Sequence, residues 1–414
     1  MKQYEKYKGT GIEWIGKIPD QWEVKKLKFI ADCTLGKMLT NDDKGGYLFK
    51  PYLRAQNIRW FSIDATDVKE MWFSPNEIQK LRLKKNDLLV SEGGEVGRTC
   101  IWHDELDECY IQNSVHRVRF KTDSRYYLYH FFFSGQKGYF DSVVNKISIG
   151  HLTGEKLRDL DFVFPLPSEQ TAIANFLDEK TTQIDKLISN KQKLIELLKE
   201  ERTSIINEAV SGKGKNWESK KLKFVAKKVQ TGSTPPSNEE QYYVEEINWF
   251  TPSDFSEKLF LQNSKRKIAE LAVTDGVVKR FPENSVLFVG IGATLGKVGY
   301  IIEPATSNQQ INCLSFRSKE EAIFYANYFY SNQPNIVALA NAATLPILNQ
   351  SQMKDIMLPI PSSVDELKTT IQYIQNETQR IDNTISKVEN EIELMQEYKT
   401  ALISEVVTGK IKVI

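Results

Sequence analysis

The chain is written twice. WEVKKLKFIA at Trp22–Ala31 returns as WESKKLKFVA at Trp217–Ala226, 195 residues on. FPLPS at Phe164–Ser168 returns as LPIPS at Leu358–Ser362, an offset of 194, and RTSIINEAVSGK at Arg202–Lys213 returns as KTALISEVVTGK at Lys399–Lys410, an offset of 197. Between these anchors DLLVSEGGEVGR (Asp87–Arg98) parallels SVLFVGIGATLGK (Ser285–Lys297), and YYLYHFFFS (Tyr126–Ser134) parallels IFYANYFYS (Ile323–Ser331). Solenoid units repeat every 20–45 residues or so; a period this long marks a duplicated domain.

Each copy has two halves. The first mixes short β-type runs such as Arg117–Phe120, Val286–Val289 and Lys297–Ile302 with Gly- and Pro-containing turns, and carries one aromatic helical segment near Tyr126–Phe133 or Ile323–Tyr330. The second half has helical periodicity. Val364, Leu367, Ile371, Ile374, Thr378, Ile381, Ile385, Val388, Ile392, Met395, Lys399, Leu402 and Val406 alternate three and four apart, with Lys399 the charged residue among them, the a/d seam of a coiled coil. In the first copy the corresponding seam is rougher: Ile173, Leu177, Ile184, Leu187, Leu194, Leu198 and Ile205, with Lys180 and Lys191 on it. Ser168 and Ser362 are expected N-caps, and Gly212 and Gly409 the stop signals. Each helix would run about 60 Å. The expected fold is therefore α+β: two tandem-repeated α/β globules, residues 1–167 and 214–360, and two long antiparallel coiled-coil helices, 168–213 and 361–414, in a pseudo-two-fold arrangement. Pairing with a second subunit is the alternative for the helices.

Composition restricts the function classes. Four cysteines without CxxC spacing fit neither a disulfide scaffold nor a zinc ribbon. No apolar run approaches the ~18 residues of a membrane span, and the opening residues lack a secretory h-region, so a cytoplasmic protein without membrane contact is expected. The net charge is +1, with the globular blocks mildly basic and the helical blocks mildly acidic.

GIEWIGKIPDQWEVKKLK at Gly11–Lys28, FPLPS with EQTAIANFLDEKTTQID over Phe164–Asp185, and TGSTPPS at Thr231–Ser237, together with the two-fold layout, resemble the specificity subunit of type I restriction–modification enzymes over the whole chain. The resemblance implies two target recognition domains that read the halves of a split double-stranded DNA target. It implies helices that set the unread gap and dock two methylation subunits, with restriction subunits as further partners. It implies no catalytic site here: S-adenosylmethionine would belong to the methylation subunits, and ATP and Mg to a restriction subunit. Physically, a helical span of about 60 Å covers roughly 18 base pairs, and two readers in one chain raise each other's effective concentration.

The residues offer little for catalysis. FVGIG (Phe288–Gly292) matches an FxGxG pattern of S-adenosylmethionine binding, but no NPPY or DPPY segment accompanies it and the first copy reads LVSEG there. GATLGK (Gly292–Lys297) lacks P-loop spacing. The histidines show no ligand spacing with one another or with the cysteines. No catalytic or metal-ligating residue is assigned.

Base edges are read by Arg, Lys, Asn, Gln and Ser/Thr, and phosphates are held by Lys, Arg and backbone N–H. In loop-like stretches at matching places, the DNA-binding candidates of the first copy are Lys37, Arg54, Asn57, Arg59, Arg98, Gln112, Asn113, Ser114, Lys146, Ser148 and His151, with Gln56, Glu92 and His116 beside them. In the second copy they are Thr231, Ser233, Thr234, Ser253, Lys297, Asn308, Gln309, Gln310 and Thr344, with Asp254 and Asn341 beside them. IQNS (Ile111–Ser114) and SNQQ (Ser307–Gln310) place amides just before a β-type run in both copies. Rival readings are a coiled-coil adaptor that never touches DNA and a stand-alone S-adenosylmethionine-dependent methyltransferase.

Overall fold

The computed structural model describes residues 2–143, 150–340 and 346–413. The chain divides into two compact units, Met1–Lys191 with Asn390–Ile414, and Gln192–Glu389. Each unit therefore combines one globule with a portion of both long helices.

In the first globule four antiparallel strands form the main sheet, in the order Thr99–Ile101, Leu88–Ser91, Val115–Phe120, Ala31–Leu35. The strands facing inward on both sides read as unbroken apolar runs: Leu88, Leu89 and Val90 are all fully buried. A smaller sheet places Leu48–Leu53 between Lys69–Phe73 and a short parallel partner, Tyr110–Ile111. The aromatic helix Ser124–Gln136 begins at the Asp123 cap and packs Tyr126, Tyr127, Phe131 and Phe133 into one core with Leu88, Val90 and Val118.

The second globule repeats this plan. Its main sheet runs Lys228–Thr231, Ile311–Ser315, Ser285–Val289, Val298–Ile301, and gains a fifth strand, Phe260–Leu261, parallel to its neighbour. Its small sheet sets Ile247–Phe250 between Lys267–Ile268 and the parallel Thr306–Ser307. The aromatic helix is Lys319–Ser331, capped by Ser318. Mixed α/β globules in tandem, as the repeat requires, are thus present.

The long helices are Pro167–Ser211 and Val364–Val407. They run antiparallel in each unit. In the first unit Lys399 Nζ meets both Asp185 carboxylate oxygens at 2.7 Å and Lys191 pairs with Glu391. Leu402, Ile403 and Val406 pack there into one core with Leu177, Ile184 and Ile188. In the second unit Arg202 meets Asp382 at 3.0 Å and Arg380 meets Glu201 at 3.3 Å, while Ile206 and Val210 share a core with Leu367, Ile371 and Ile374. In the first unit the partner's number falls from 399 to 391 as the first rises from 185 to 191, and in the second it falls from 382 at Arg202 to Leu367–Ile374 in the core of Ile206 and Val210, which fixes the direction.

Three sequence expectations are corrected. Leu187 and Leu194 are half-exposed, and Ile188 and Ile195 hold the seam instead; Val364, at the very start of its helix, is exposed too. Adjacent helical residues lie about 100° apart, so either apolar neighbour satisfies a three–four spacing, but only one faces the partner. Thr181, not Lys180, occupies the buried position there. Third, the first helix starts one residue before Ser168, with Pro167 in its first turn, and in the second Ser363, not Ser362, accepts the Glu366 N–H at 3.1 Å. Both helices stop just short of a glycine with positive φ, Gly212 at 69° and Gly409 at 71°. The seam assignment predicts that Ile195→Ala costs about 2–4 kcal/mol in a denaturant titration while Leu194→Ala costs less than about 1 kcal/mol; similar losses would contradict it.

Among the described residues no helix is long and apolar enough to cross a membrane.

Candidate nucleic-acid interface

In both globules the ends of the main-sheet strands and of the parallel pair converge on one rim, woven together by backbone hydrogen bonds. In the first, Gly36 N–H donates to Val115 O at 3.1 Å, Lys37 N–H to Ile111 O at 3.0 Å, and Asn113 N–H to Lys37 O at 2.8 Å. Gln112 N–H donates to Leu53 O at 3.0 Å, Glu92 N–H to Ser114 O at 2.9 Å, and Leu152 N–H to Glu92 O at 2.8 Å. The second repeats the weave. Gly232 N–H reaches Ile311 O at 3.0 Å, Ser233 N–H Ser307 O at 2.9 Å, and Asn308 N–H Phe250 O at 3.0 Å. Gly290 N–H reaches Gln310 O at 2.7 Å and Leu348 N–H Gly290 O at 2.8 Å. A Cβ on Gly36 would overlap the Gln112 carbonyl, and one on Gly232 the Asn308 carbonyl. The crossing of loop and strand thus needs glycine at this one matched place.

The shared backbone carries different side chains. By these hydrogen bonds Gln112, Asn113 and Ser114 stand where Asn308, Gln309 and Gln310 stand, Lys37 where Ser233 stands, and Glu92 where Gly290 stands. Arg54 matches Thr251: each opens a tight turn in which its own N–H donates to the side chain three residues on, Asn57 Oδ1 at 2.9 Å and Asp254 Oδ2 at 2.7 Å.

In the first rim most cations are held by acids. Lys37 is nearly buried, 2.5 Å from Glu77. Burial alone would raise the Glu77 carboxyl, but the Lys37 ion pair and the Ser74 hydrogen bonds outweigh it and hold it below the usual range. Arg54 is 2.7 Å from Asp67, which also takes Lys69 at 2.7 Å; Lys69 and then Arg54 depress its pKa. Arg59 lies in the hairpin beyond the turn, 2.5 Å from Asp64, whose carboxyl is depressed by Thr66 first and then by Arg59. Arg98, in the turn that follows Leu88–Ser91, sits 3.5 Å from Glu95. Asn57 is buried, and its amide donates to Asp64 O at 2.8 Å and Asp67 O at 3.2 Å, so it braces the turn and does not face outward. His116 is buried as well, with Nε2 2.7 Å from Leu152 O. Ser114 Oγ donates to Gln112 Oε1 at 2.8 Å and accepts Ala55 N–H at 3.0 Å. Asn113 and His151 are left accessible at the rim, and Glu92 beside His151 has its carboxyl pushed up by partial burial, against the opposing charge of His151. The described part of the rim excludes Lys146 and Ser148, which lie outside the described residues.

In the second rim Asn308 Nδ2 donates to Gln310 Oε1 at 2.9 Å, and Asn308 Oδ1 accepts Gln310 N–H at 3.1 Å. Thr234 Oγ1 donates to Gln309 Oε1, tying two exposed residues together. Thr231 donates to Asn312 Oδ1 at 2.8 Å, Ser253 bonds Thr251 at 2.8 Å, and Lys297 Nζ donates to Phe255 O at 3.1 Å. Asp254 is consumed by its own turn and by Lys265 N–H. Ser233 Oγ is buried without a hydrogen-bond partner among the described residues. Thr344 and Asn341 lie outside the described residues.

Two motifs resolve as rim structure. Gly290 of FVGIG is closed over by the Leu348 segment: a Cβ there would meet Asn312 Nδ2 at 2.7 Å and Leu348 O at 2.9 Å. GATLGK forms the turn between Ser285–Val289 and Val298–Ile301. Among the described residues no group of three or more His, Cys, Asp or Glu side chains is placed to hold a metal ion.

A family model for the type I restriction modification DNA specificity domain matches twice, at residues 19–199 and 214–403. The chain belongs to this family. Its two matches cover most of each globule and most of each long helix, so the specificity domain is the repeating unit. The MjaIX specificity subunit of Methanocaldococcus jannaschii is 23% identical over 96% of this chain and 95% of its own length. The putative MjaX specificity subunit of the same organism is 24% identical over 99% and 97%. Among solved structures, a chain from a study of complex assembly and conformational transition of the type I R-M system superposes with a TM-score of 0.72, at 14% identity over 95% of this chain and 99% of that one. The HsdS subunit of Thermoanaerobacter tengcongensis gives 0.56, at 13% identity over 95% and 98%. These two share the fold. The chain is thus a type I restriction–modification specificity subunit with two specificity domains.

Sequence reasoning missed the acids that restrain the first rim of this specificity subunit, Glu77 and Asp67, and one cation beside the second. Arg266 lies with its guanidinium 5.3 Å from the Trp249 ring and 5.5 Å from the Tyr243 ring. Those rings pin the TGSTPPS loop: Trp249 Nε1 donates to Ser233 O at 3.1 Å and Tyr243 Oη to Pro235 O at 2.7 Å. The signal available in sequence was the basic run Lys265–Lys267.

Proposed function

We propose that the chain is the sequence-reading, non-catalytic part of a type I restriction–modification assembly. Residues 1–167 and 214–360 act as target recognition domains, and each rim reads one half of a bipartite double-stranded DNA target in the major groove. The helical segments 168–213 and 361–414 set the unread gap and dock two methylation subunits, with restriction subunits as further partners. Chemistry belongs to those partners, which would carry S-adenosylmethionine, and ATP with Mg.

One observation carries this reading: the two rims keep the same hydrogen-bonded backbone while their outward side chains differ. A catalytic site duplicated in this way would keep its reacting groups. A reader would keep its frame and change the groups that meet base edges, since phosphate contacts position and base contacts specify. Solvent-accessible amides on a fixed frame suit that task, because Asn and Gln pair with the donor–acceptor edge of adenine.

The test is competition binding with the full chain co-purified with its methylation subunits. A duplex carrying the host's methylation motif should be preferred over a scrambled duplex by a factor of about 10³ or more. Equal affinity for both would remove the reading.

A further inference from the structure

We infer that the second globule supplies a sequence-independent phosphate contact through Lys265 and Arg266, while in the first globule the cation matching Arg266, Lys69, is held in reserve with Arg54 by Asp67. This rests on the DNA-reading function proposed above and names the residues that set its electrostatic part.

The two positions correspond. In the first globule Tyr52 pairs with Lys69 across the small sheet; in the second, Trp249 N–H donates to Arg266 O at 3.3 Å, continuing the register in which Asn248 opposes Lys267. Tyr52 and Trp249 are themselves matched by their parallel partners, Tyr110 and Thr306. Lys69 therefore corresponds to Arg266, and two residues earlier Asp67 corresponds to Ser264.

That single exchange changes the electrostatics. Asp67 accepts Lys69 and Arg54 together, so one carboxylate is shared between two cations beside the first rim and cancels one of their two charges. Ser264 carries no charge, and its hydroxyl is used internally, accepting Trp249 N–H at 3.0 Å and donating to Asn248 Oδ1 at 3.1 Å. Among the described residues no carboxylate lies within ion-pair distance of Lys265, Arg266 or Lys267. Lys265 and Arg266 are exposed. Arg266 rests on the rings that pin the loop, so its position is tied to the rim. A guanidinium stacked on an aromatic face keeps its in-plane N–H donors free, and phosphate is the planar fork's natural partner. The Lys265 N–H to Asp254 bond of 2.8 Å fixes the backbone beside it to the same turn that borders the rim.

A phosphate contact shows in the salt dependence of binding, at a slope of about −0.9 per phosphate neutralised. The measurement is affinity for a random-sequence duplex over a salt series, using the full chain in its complex. Lys265→Ala with Arg266→Ala should flatten the log–log slope by about one to two, while Arg266→Lys keeps most of it. Asp67→Asn should steepen the slope by about one, because Arg54 and Lys69 are released. Thermal melts of the same variants should match the parent, as all three side chains are at the surface. A parent slope with both the double alanine variant and Asp67→Asn unchanged overturns the inference and leaves the reading of DNA intact. A parent that shows no salt-dependent affinity for any duplex overturns that reading itself.

Discussion

Lowering the pH from about 7 to about 5 is expected to loosen the first globule and leave the second near its neutral-pH stability. All four histidines lie in the first copy. His130 is fully buried in the aromatic helix, ringed by Trp14, Tyr126, Phe133 and Phe162. Its Nε2 accepts the Val163 N–H at 3.1 Å, which requires the neutral ring, and Nδ1 has only the Ser134 hydroxyl at 3.4 Å. With no carboxylate among these contacts, burial pushes its pKa down to about 3. The unfolded chain takes up this proton near pH 6.5. Between those two values the unfolded state holds more protons, so stability falls as pH falls. The loss is about 1.4 kcal/mol per pH unit from this residue, or about 2 kcal/mol by pH 5. His116, also lowered by burial, adds in the same direction. Amide hydrogen exchange followed by peptide would show protection lost in Ser124–Gln136 and Asp161–Phe164 but retained in Lys319–Ser331. His130→Gln should reduce the dependence, and His116 would retain the remainder. Equal loss in both globules would refute the assignment.

The second large effect concerns two rim amides, the half-buried Asn113 and the exposed Gln309. Asn113→Ala and Gln309→Ala are each expected to cost about 1–3 kcal/mol of discrimination at one position of one half-site, roughly 10- to 100-fold, without altering the other half. Asn113 is held by its backbone, through the bond to Lys37 O, and its side chain has no hydrogen-bond partner among the described residues. Gln309 spends its oxygen on Thr234 and keeps its amide NH₂. Gln112 and Ser114 bond each other in the first rim, and Asn308 and Gln310 in the second, and each pair frames its neighbour, so their substitution should disturb the rim more broadly. Competition against duplexes varied at single positions in each half separates the cases. A variant that weakens every duplex alike would place its amide on phosphate or in the frame.

The repeat, the helix–globule alternation and the antiparallel helices could be read from residues because each rests on local periodicity or on direct self-similarity. The seam was misread where two apolar residues stand side by side, at Leu187–Ile188 and Leu194–Ile195, since spacing cannot say which of two neighbours faces inward, and also at Lys180, beside the buried Thr181, and at the exposed Val364. The rim was partly legible. IQNS and SNQQ are matched by sequence offset and do occupy the same place. The restraint on the cations was not legible, because Glu77 reaches Lys37 from another element forty residues away, and Asp67 reaches Arg54 across a turn. Asn57 carried the residue type of a base reader, yet its short amide satisfies the turn that it closes. Arg266 was passed over because only the fold brings Trp249 and Tyr243 beneath it.

The central claim is that two different readers share one frame and act on one split target. Its most direct test is to map methylated bases in the host DNA with the chain present, deleted, and altered at Asn113 or Gln309. The account predicts a two-part motif with a fixed gap that disappears on deletion, and that Asn113→Ala relaxes one part while Gln309→Ala relaxes the other. Methylation that persists unchanged without the chain, or an uninterrupted motif in which both substitutions act on the same position, would contradict it.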